Sequence, residues 1–396
     1  GTYQLSIPRT TTDATTGDLD ITRTVDVVGA GRESTIVDGG ALDSVFHVQG
    51  SNELPGIRVR FKHMTIRNGR SANYGGAINI DIGYARVHVL DCALVNNVAL
   101  VDGGGISTYG YTLTVIGSLI EGNSAGRGGG IAHFYNYAQA GMIRRSVIRN
   151  NTAVSNGAGL LNFGNMRIED SLIDGNTATG GGSGGGGLST ANLVTTVLNT
   201  TFTGNSAASG GAFQTVGSSA SFTNVTVTAN LDDNGGDGFY FSVAAPATIT
   251  NSVFADNVCA TAGPGVPLPV TSGGGNVEAS NTCGFGGGPG DRVNVPDAGV
   301  DALADNGGDS QTHALLAGSP AVGAAVQAKC PFVDQRGFIR DDGDCDSGAF
   351  ERGASVQACA ASPEELTANL GIGVSGQSFE PVGAIEVCLQ ALAGYP

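Results

Sequence analysis

From about residue 57 to residue 257 the chain repeats itself, and the period of that repeat limits what it can fold into. Each unit has a strand-like apolar run, a short polar turn, an Asn, and then a glycine cluster followed by an apolar residue. Ala93-Leu94-Val95-Asn96-Asn97 leads to Gly103-Gly104-Gly105-Ile106, and Leu119-Ile120-Glu121-Gly122-Asn123 leads to Gly128-Gly129-Gly130-Ile131. Later units follow the same plan through Gly157-Ala158-Gly159-Leu160, Gly185-Gly186-Gly187-Leu188 and Gly210-Gly211-Ala212-Phe213. The Asn recurs as Asn97, Asn123, Asn151, Asn176, Asn205, Asn230 and Asn257, with gaps of 26, 28, 25, 29, 25 and 27.

Units of this length occur in helical solenoids, but these carry no helical periodicity. They alternate, favour β-branched residues, and break at Gly and Asn. A four-stranded propeller blade needs about 40 residues. The period therefore predicts one turn of a parallel β-helix per unit, about ten coils in all, with coils spaced by roughly 4.8 Å.

Aligning the units predicts three ladders. Phe61, Val89, Val115, Ile143, Ile168, Val197, Phe222 and Ile249 form an apolar column facing inward. Met64, Cys92, Ser118, Ser146, Ser171, Thr200, Val225 and Ser252 form a column of mostly small residues at a tight interior corner, which makes Cys92 a buried residue and not a reactive thiol. The Asn column stacks its amides from coil to coil. Glycine supplies 65 of the 396 residues, without a Gly-X-Y period, so collagen is excluded and the clusters are read as sharp turns. No Gly-x4-Gly-Lys-Ser/Thr occurs, so they are not phosphate loops.

The 19 basic and 35 acidic residues give a formal charge of −16, which argues against nucleic acid as a partner. No apolar run reaches the roughly 18 residues of a membrane span. Gly1 runs directly into Tyr3-Gln4-Leu5-Ser6-Ile7 with no signal peptide, so the chain is expected to lack its original N-terminus. Six of the seven cysteines lie late, and neighbour order predicts Cys259–Cys283, Cys330–Cys345 and Cys359–Cys388, one of about 15 possible pairings. An even set of loop cysteines fits an oxidising, extracellular compartment. No Cys-x-x-Cys occurs, which argues against zinc.

After residue 258 the repeat fades. Asp305-Asn306-Gly307-Gly308, Gln311-Thr312-His313-Ala314-Leu315-Leu316, Gly318-Ser319-Pro320-Ala321, Asp334-Gln335-Arg336-Gly337 and Cys345-Asp346-Ser347-Gly348-Ala349-Phe350-Glu351 follow in order. These motifs resemble the secreted bacterial proteins called choice-of-anchor Q domain proteins. Gly17-Asp18-Leu19-Asp20-Ile21, Gly29-Ala30-Gly31, Ile36-Val37-Asp38-Gly39-Gly40 and Val45-Phe46-His47-Val48 resemble the same proteins. The likeness covers about residues 1–352; the CSLREA signature that often precedes this region is absent. The resemblance implies a single-stranded right-handed parallel β-helix of the pectate-lyase-like kind, export, and attachment to the cell surface through varied C-terminal anchors. It implies no established reaction. The expected organisation is a β-helix over 1–300, a disulfide-bearing C-terminal cap over 301–353, and a small segment or start of a further β module over 354–396.

Three groups of residues are candidates for chemistry. Aromatics gather after the glycine clusters: Tyr84, Tyr109, Tyr111, Phe134, Tyr135, Tyr137 and Phe163. On one side of the rod, Tyr109, Tyr111, Tyr135 and Tyr137 would offer ring faces to a linear glycan; the competing reading is turn packing between coils. Arg58, Arg60 and Lys62 alternate with Ile57, Val59 and Phe61 and so share an outward face, with His88, Arg144 and Arg167 in the same columns and Arg86 nearby. Arg60, Lys62 and Arg144 would hold uronates or sulfates, or clamp charge in a polysaccharide lyase; the competing reading is a solvated face. Against a lyase, only Asp81, Asp91 and Asp102 lie near in sequence, and no carboxylate cluster evidently accompanies the stripe.

Finally, Asp13, Asp18 and Asp20, and separately Asp342, Asp344 and Asp346, are dense enough in hard oxygen ligands for Ca²⁺, the only cofactor considered. The second loop is not an EF-hand, because Ser347 and Gly353 occupy its sixth and twelfth positions; hydrogen-bonded capping is the alternative. The expected role is structural or adhesive at the cell surface or in an extracellular matrix, with glycan binding as an option. The partners would be polysaccharide or other cell-envelope components, another surface protein, or further copies of the chain. The alternative is a polysaccharide lyase or glycoside hydrolase on an anionic glycan.

Overall fold

The computed structural model describes residues 1–7, 17–134, 141–181, 184–232, 237–241, 246–261, 269–340 and 343–355. Cys359–Cys388, Asp13, Tyr135, Tyr137 and Asp342 lie outside the described residues. The fold is a parallel β-helix of about nine turns, close to the ten expected. Three long parallel sheets form its walls. Wall one holds ten strands, from Leu19–Ile21 to Val258–Thr261; wall two holds ten, from Val25–Val28 to Val270–Gly274; wall three holds eleven, from Thr2–Gln4 to Val277–Glu278. A fourth strip of seven two-residue strands runs from Arg70–Ser71 to Leu231–Asp232. Among the described residues no helix is long and apolar enough to cross a membrane.

All three predicted ladders form. In wall two, Phe61, Val89, Val115, Ile143, Ile168, Val197, Phe222 and Ile249 are register partners from coil to coil, and all are fully buried. The small-residue column has a backbone cause. Between walls two and three the chain turns through one left-handed residue per coil, including Asp91 (φ 48°), Arg145 (φ 46°), Asp170 (φ 49°) and Asn199 (φ 43°). Where a serine follows, its Oγ accepts from the backbone N–H at the same corner one coil earlier. The backbone N–H of Cys92 donates to Ser118 Oγ, that of Ser118 to Ser146 Oγ, and that of Ser146 to Ser171 Oγ, at 3.1–3.2 Å. Cys92 is buried and unbridged in this column, and burial pushes its thiol up to about 11.

The Asn side chains are linked head to tail. From Asn97 to Asn257, each Nδ2 donates to Oδ1 of the Asn one coil on, at 2.8–3.0 Å. Each turn then needs a backbone that side chains oppose. Gly103 has φ 68°, and a Cβ there would lie 2.2 Å from the Ile106 carbonyl.

The last coils end in an aromatic core of Phe213, Phe222, Phe239, Phe254 and Phe285, closed by the Cys259–Cys283 disulfide. Beyond it, Val300–Ala304 pairs antiparallel with Thr312–Leu315. This segment, with residues up to 352, forms a strap against the flank of several coils. Asn199 Nδ2 donates to the Val333 carbonyl, Thr201 Oγ1 to Gln335 Oε1, Asn224 Nδ2 to the Asp346 carbonyl, and the Gly348 N–H to the Asn251 carbonyl. Cys330–Cys345 closes a loop of the strap.

The strap is locked by two buried ion pairs. The Arg336 guanidinium donates twice to Asp334 Oδ2, at 2.9 and 2.7 Å, and lies between the rings of Phe338 and Phe350. Arg340 Nη1 meets Glu351 Oε2 at 2.5 Å, and Arg340 Nη2 donates to Asn199 Oδ1 on the coil beneath.

Candidate functional site

Wall two positions the cations. Because Val59 and Phe61 point inward, Arg58, Arg60 and Lys62 must point out. Register then sets their neighbours: Arg58 lies beside Arg86, Arg60 between Asp26 and His88, and Lys62 between Val28 and Leu90. Arg60 binds Asp26 through Nε (2.8 Å) and Nη2 (2.7 Å), and that hydrogen bond holds the Asp26 carboxyl below its ordinary range. Arg86 Nη1 donates to the Pro55 carbonyl, and its guanidinium lies 5.0 Å from the centre of the Tyr111 ring. Among the described residues no ion-pair contact engages Arg58 or Lys62.

Arg144 stands apart from this group. It shares a column with Lys62, but Leu90 and Ile116 intervene, so three coil spacings of roughly 4.8 Å separate them. Its Nε contacts Asp170 (3.1 Å) and Glu169 (3.6 Å), and Arg167 pairs with the same Glu169. Burial raises the Asp170 carboxyl, and the Arg144 charge opposes that rise. Carboxylates are thus paired with two of the cations, Asp26 with Arg60, and Glu169 and Asp170 with Arg144. The acids nearer in sequence go elsewhere. Asp81 pairs with His47, Asp91 with Arg32 and His63, and Asp102 with Arg127.

The aromatics form ladders along the rod. Tyr74, Tyr109, Phe134 and Phe163 follow one another, with Tyr109 and Phe134 stacked at 4.5 Å and 6°, and Phe134 and Phe163 at 5.4 Å and 12°. Stacking along the axis spends the ring faces on neighbouring coils and leaves edges to the surface. Burial, with Asp102 nearby, pushes the Tyr109 hydroxyl up to about 12. Arg127 lies over Phe134 and holds the fully buried Asp102 through two hydrogen bonds of 2.7 and 2.9 Å. Tyr111 belongs to a second line with Tyr84, next to Arg86.

The acidic groups are also partnered. Asp20 Oδ1 lies 2.9 Å from His47 Nδ1, Asp81 Oδ2 lies 2.8 Å from His47 Nε2, and Asp18 lies 4.0 Å away. The hydrogen bond to Asp81 raises the His47 pKa, so a protonated imidazole can supply the positive charge among these acids. An imidazole is also foreign to the all-oxygen set that Ca²⁺ takes. In the strap, Asp344 is exposed. The buried Asp346 accepts from the backbone N–H of Gly323 (2.8 Å) and of Arg352 (2.7 Å), so its oxygens cap turns.

Sequence reading gave no site role to His47, Asp26, Glu169 or Asp170, and did not pair Asp81 with His47. It also missed a recess of about 380 Å³ where Arg32, Arg145 and Arg149 face Asp91 and Asp309 over Leu119 and Val147. Coil-to-coil offsets carried a signal for some: His47 stands one coil after Asp20, and Asp170 stands 26 residues after Arg144. No family model matches the sequence, and no curated protein or solved structure is significantly similar to it.

Proposed function

We propose that the chain is a structural or adhesive β-helix protein of the cell surface or extracellular matrix, of the kind its motifs resemble, and not a catalyst. One observation carries this reading. The motif residues Asp334, Arg336, Cys345, Asp346 and Glu351 are bonded inside the strap, through ion pairs, a disulfide and turn caps, and the strap they stiffen is hydrogen-bonded to the rod through Asn199, Thr201 and Asn224. They are conspicuous chemically, yet each is buried and bonded within the protein. The two disulfides support an oxidising compartment.

The test joins location and chemistry. Cells that make the protein are fractionated and the chain is located with an antibody. The purified chain is then incubated with uronate polymers, with and without calcium, and followed for unsaturated products. Surface or matrix location with no product is expected. A chain confined to a reducing cytosol would overturn the reading.

A second reading, a polysaccharide lyase or glycoside hydrolase, draws on the Arg144–Asp170 pair, where a cation stands beside a carboxyl raised by burial. Product formation lost in both Arg144→Ala and Asp170→Asn would promote it.

A further inference from the structure

We propose that the outward face of wall two between Val25–Val28 and Ala85–Leu90 binds a linear acidic polysaccharide. The inference deepens the adhesive reading above and rests on it for its biological meaning.

Four permanent cations, Arg58, Arg60, Lys62 and Arg86, stand on two neighbouring strands, with His88 among them. The carboxylate paired with them in wall two is Asp26, bound to Arg60. A chain of formal charge −16 thus carries a local cationic excess on one face. Lys62 is one of only two lysines, and Arg58 and Lys62 keep their charges outside any ion-pair contact among the described residues.

The lattice of these charges points to an extended ligand. Alternate residues along a strand are about 6.6 Å apart and neighbouring strands about 4.8 Å apart. Each Arg offers a planar fork that fits carboxylate or sulfate through two hydrogen bonds. Apolar surface lies in the same lattice: the exposed Val28 and the half-buried Leu90 flank Lys62, and the half-buried Tyr111 lies against Arg86. Sugar rings present apolar faces between their charges, and that alternation matches this surface.

Nucleic acid matches it less well. Duplex DNA carries one charge per roughly 1.7 Å and gains affinity by releasing many counterions. Few phosphates could be neutralised here, and the rest would meet a strongly acidic protein. A sparser polyanion suffers less of that repulsion.

The test uses the full chain in affinity electrophoresis and calorimetry against polygalacturonate, dextran sulfate, neutral dextran and duplex DNA. Retention by one or both acidic polymers, weakening with salt, is expected; the polymer retained identifies carboxylate or sulfate as the group read. The double variant Arg58→Ala/Lys62→Ala should bind about tenfold more weakly, as expected for two surface charge contacts. Lys62→Arg should bind like the parent, and Arg70→Ala, exposed on another side, should leave binding unchanged. Melting temperatures establish that the variants are folded. No retention of either acidic polymer at low salt, equal binding by the double variant, or tighter binding to DNA would overturn the proposal. Because pure polymers are used, that failure is separate from failure of the surface location, which the fractionation reads.

Discussion

The Asn151 amide stands one coil from that of Asn176 and donates to its Oδ1 at 2.9 Å. The same Nδ2 donates to the Ile120 carbonyl, while Asn151 Oδ1 accepts from the backbone N–H and the Nδ2 of Asn123. One side chain thus satisfies two backbone groups of the preceding coil and ties itself to the side chains of the coils on either side, in an interior where water cannot replace it.

Asn151→Ala is therefore expected to cost about 4 kcal/mol, because it leaves at least two buried backbone groups without partners. Asn151→Asp should cost as much or more, since it sets a carboxylate against the Ile120 carbonyl. Asn150→Gly, at the exposed left-handed neighbour (φ 54°), should change stability by under about 0.5 kcal/mol. Denaturant midpoints measure all three. A loss below about 1 kcal/mol for Asn151→Ala would show that the ladder is incidental.

The aromatic ladder is expected to stabilise the rod and not to hold sugar. Phe134→Ala removes the ring stacked on both Tyr109 and Phe163 and lying beneath Arg127. It should cost about 2 kcal/mol and leave binding of acidic polymers unchanged. It should also lower the Tyr109 hydroxyl from about 12 towards its ordinary 10, by readmitting water. Ultraviolet titration of Phe134→Ala, compared with Phe134→Ala/Tyr109→Phe, reads that change. Lost binding with intact folding would return the rings to the ligand site.

What the sequence made legible followed from periodicity. Every residue of the column from Phe61 to Ile249, and every Asn from Asn97 to Asn257, recurs at the same place in a coil, so stacking the units located them. Partnerships across columns left no such trace. Arg60 finds Asp26 34 residues earlier, because the coil between them is longer than its fellows. Arg144 finds Asp170 one column to the side. The strap was the least legible part. Its motifs were evident, but nothing in their order told that Asp334 and Glu351 would bind arginines inside the strap, or that Val333 and Asp346 would meet Asn199 and Asn224.

Thiol chemistry should separate the cysteines. Non-reducing peptide mapping is expected to return Cys259–Cys283 and Cys330–Cys345, with Cys92 in neither. Iodoacetamide should label Cys92 only after unfolding, since the thiol is buried and its pKa stands near about 11. Removing the Cys330–Cys345 bridge, whose partners are 15 residues apart, should cost about 3 kcal/mol. Native labelling of Cys92 would contradict its place in the corner column.

The Arg340–Glu351 clasp should make stability depend on pH with a definite sign. Glu351 is buried, and burial raises its carboxyl from 4.5 to about 7, although Arg340 opposes the shift. Its Oε1 has no hydrogen-bond partner among the described residues, so a proton there leaves the Oε2 contact with Arg340 in place. Between about 4.5 and about 7 the folded chain holds this proton more tightly than the unfolded chain does. Glu351 therefore lowers stability as pH rises through that window, adds no slope below it, and levels off above it. Two buried histidines work the other way. Burial lowers His133 and His313, so their contribution is present above 6.5 and lost as pH falls through their folded values. The parent profile mixes both signs, and only a difference isolates the carboxyl. Glu351→Gln keeps the shape and stays neutral. Its stability should match the parent near pH 4.5, and its advantage over the parent should grow until about pH 7. Hydrogen exchange of the strap amides over the same range should show the parent opening faster as pH rises, beyond the intrinsic exchange rate, with less change in the variant. Parallel stability curves for parent and Glu351→Gln would mean that Glu351 stays ionised throughout and that Arg340 outweighs its burial.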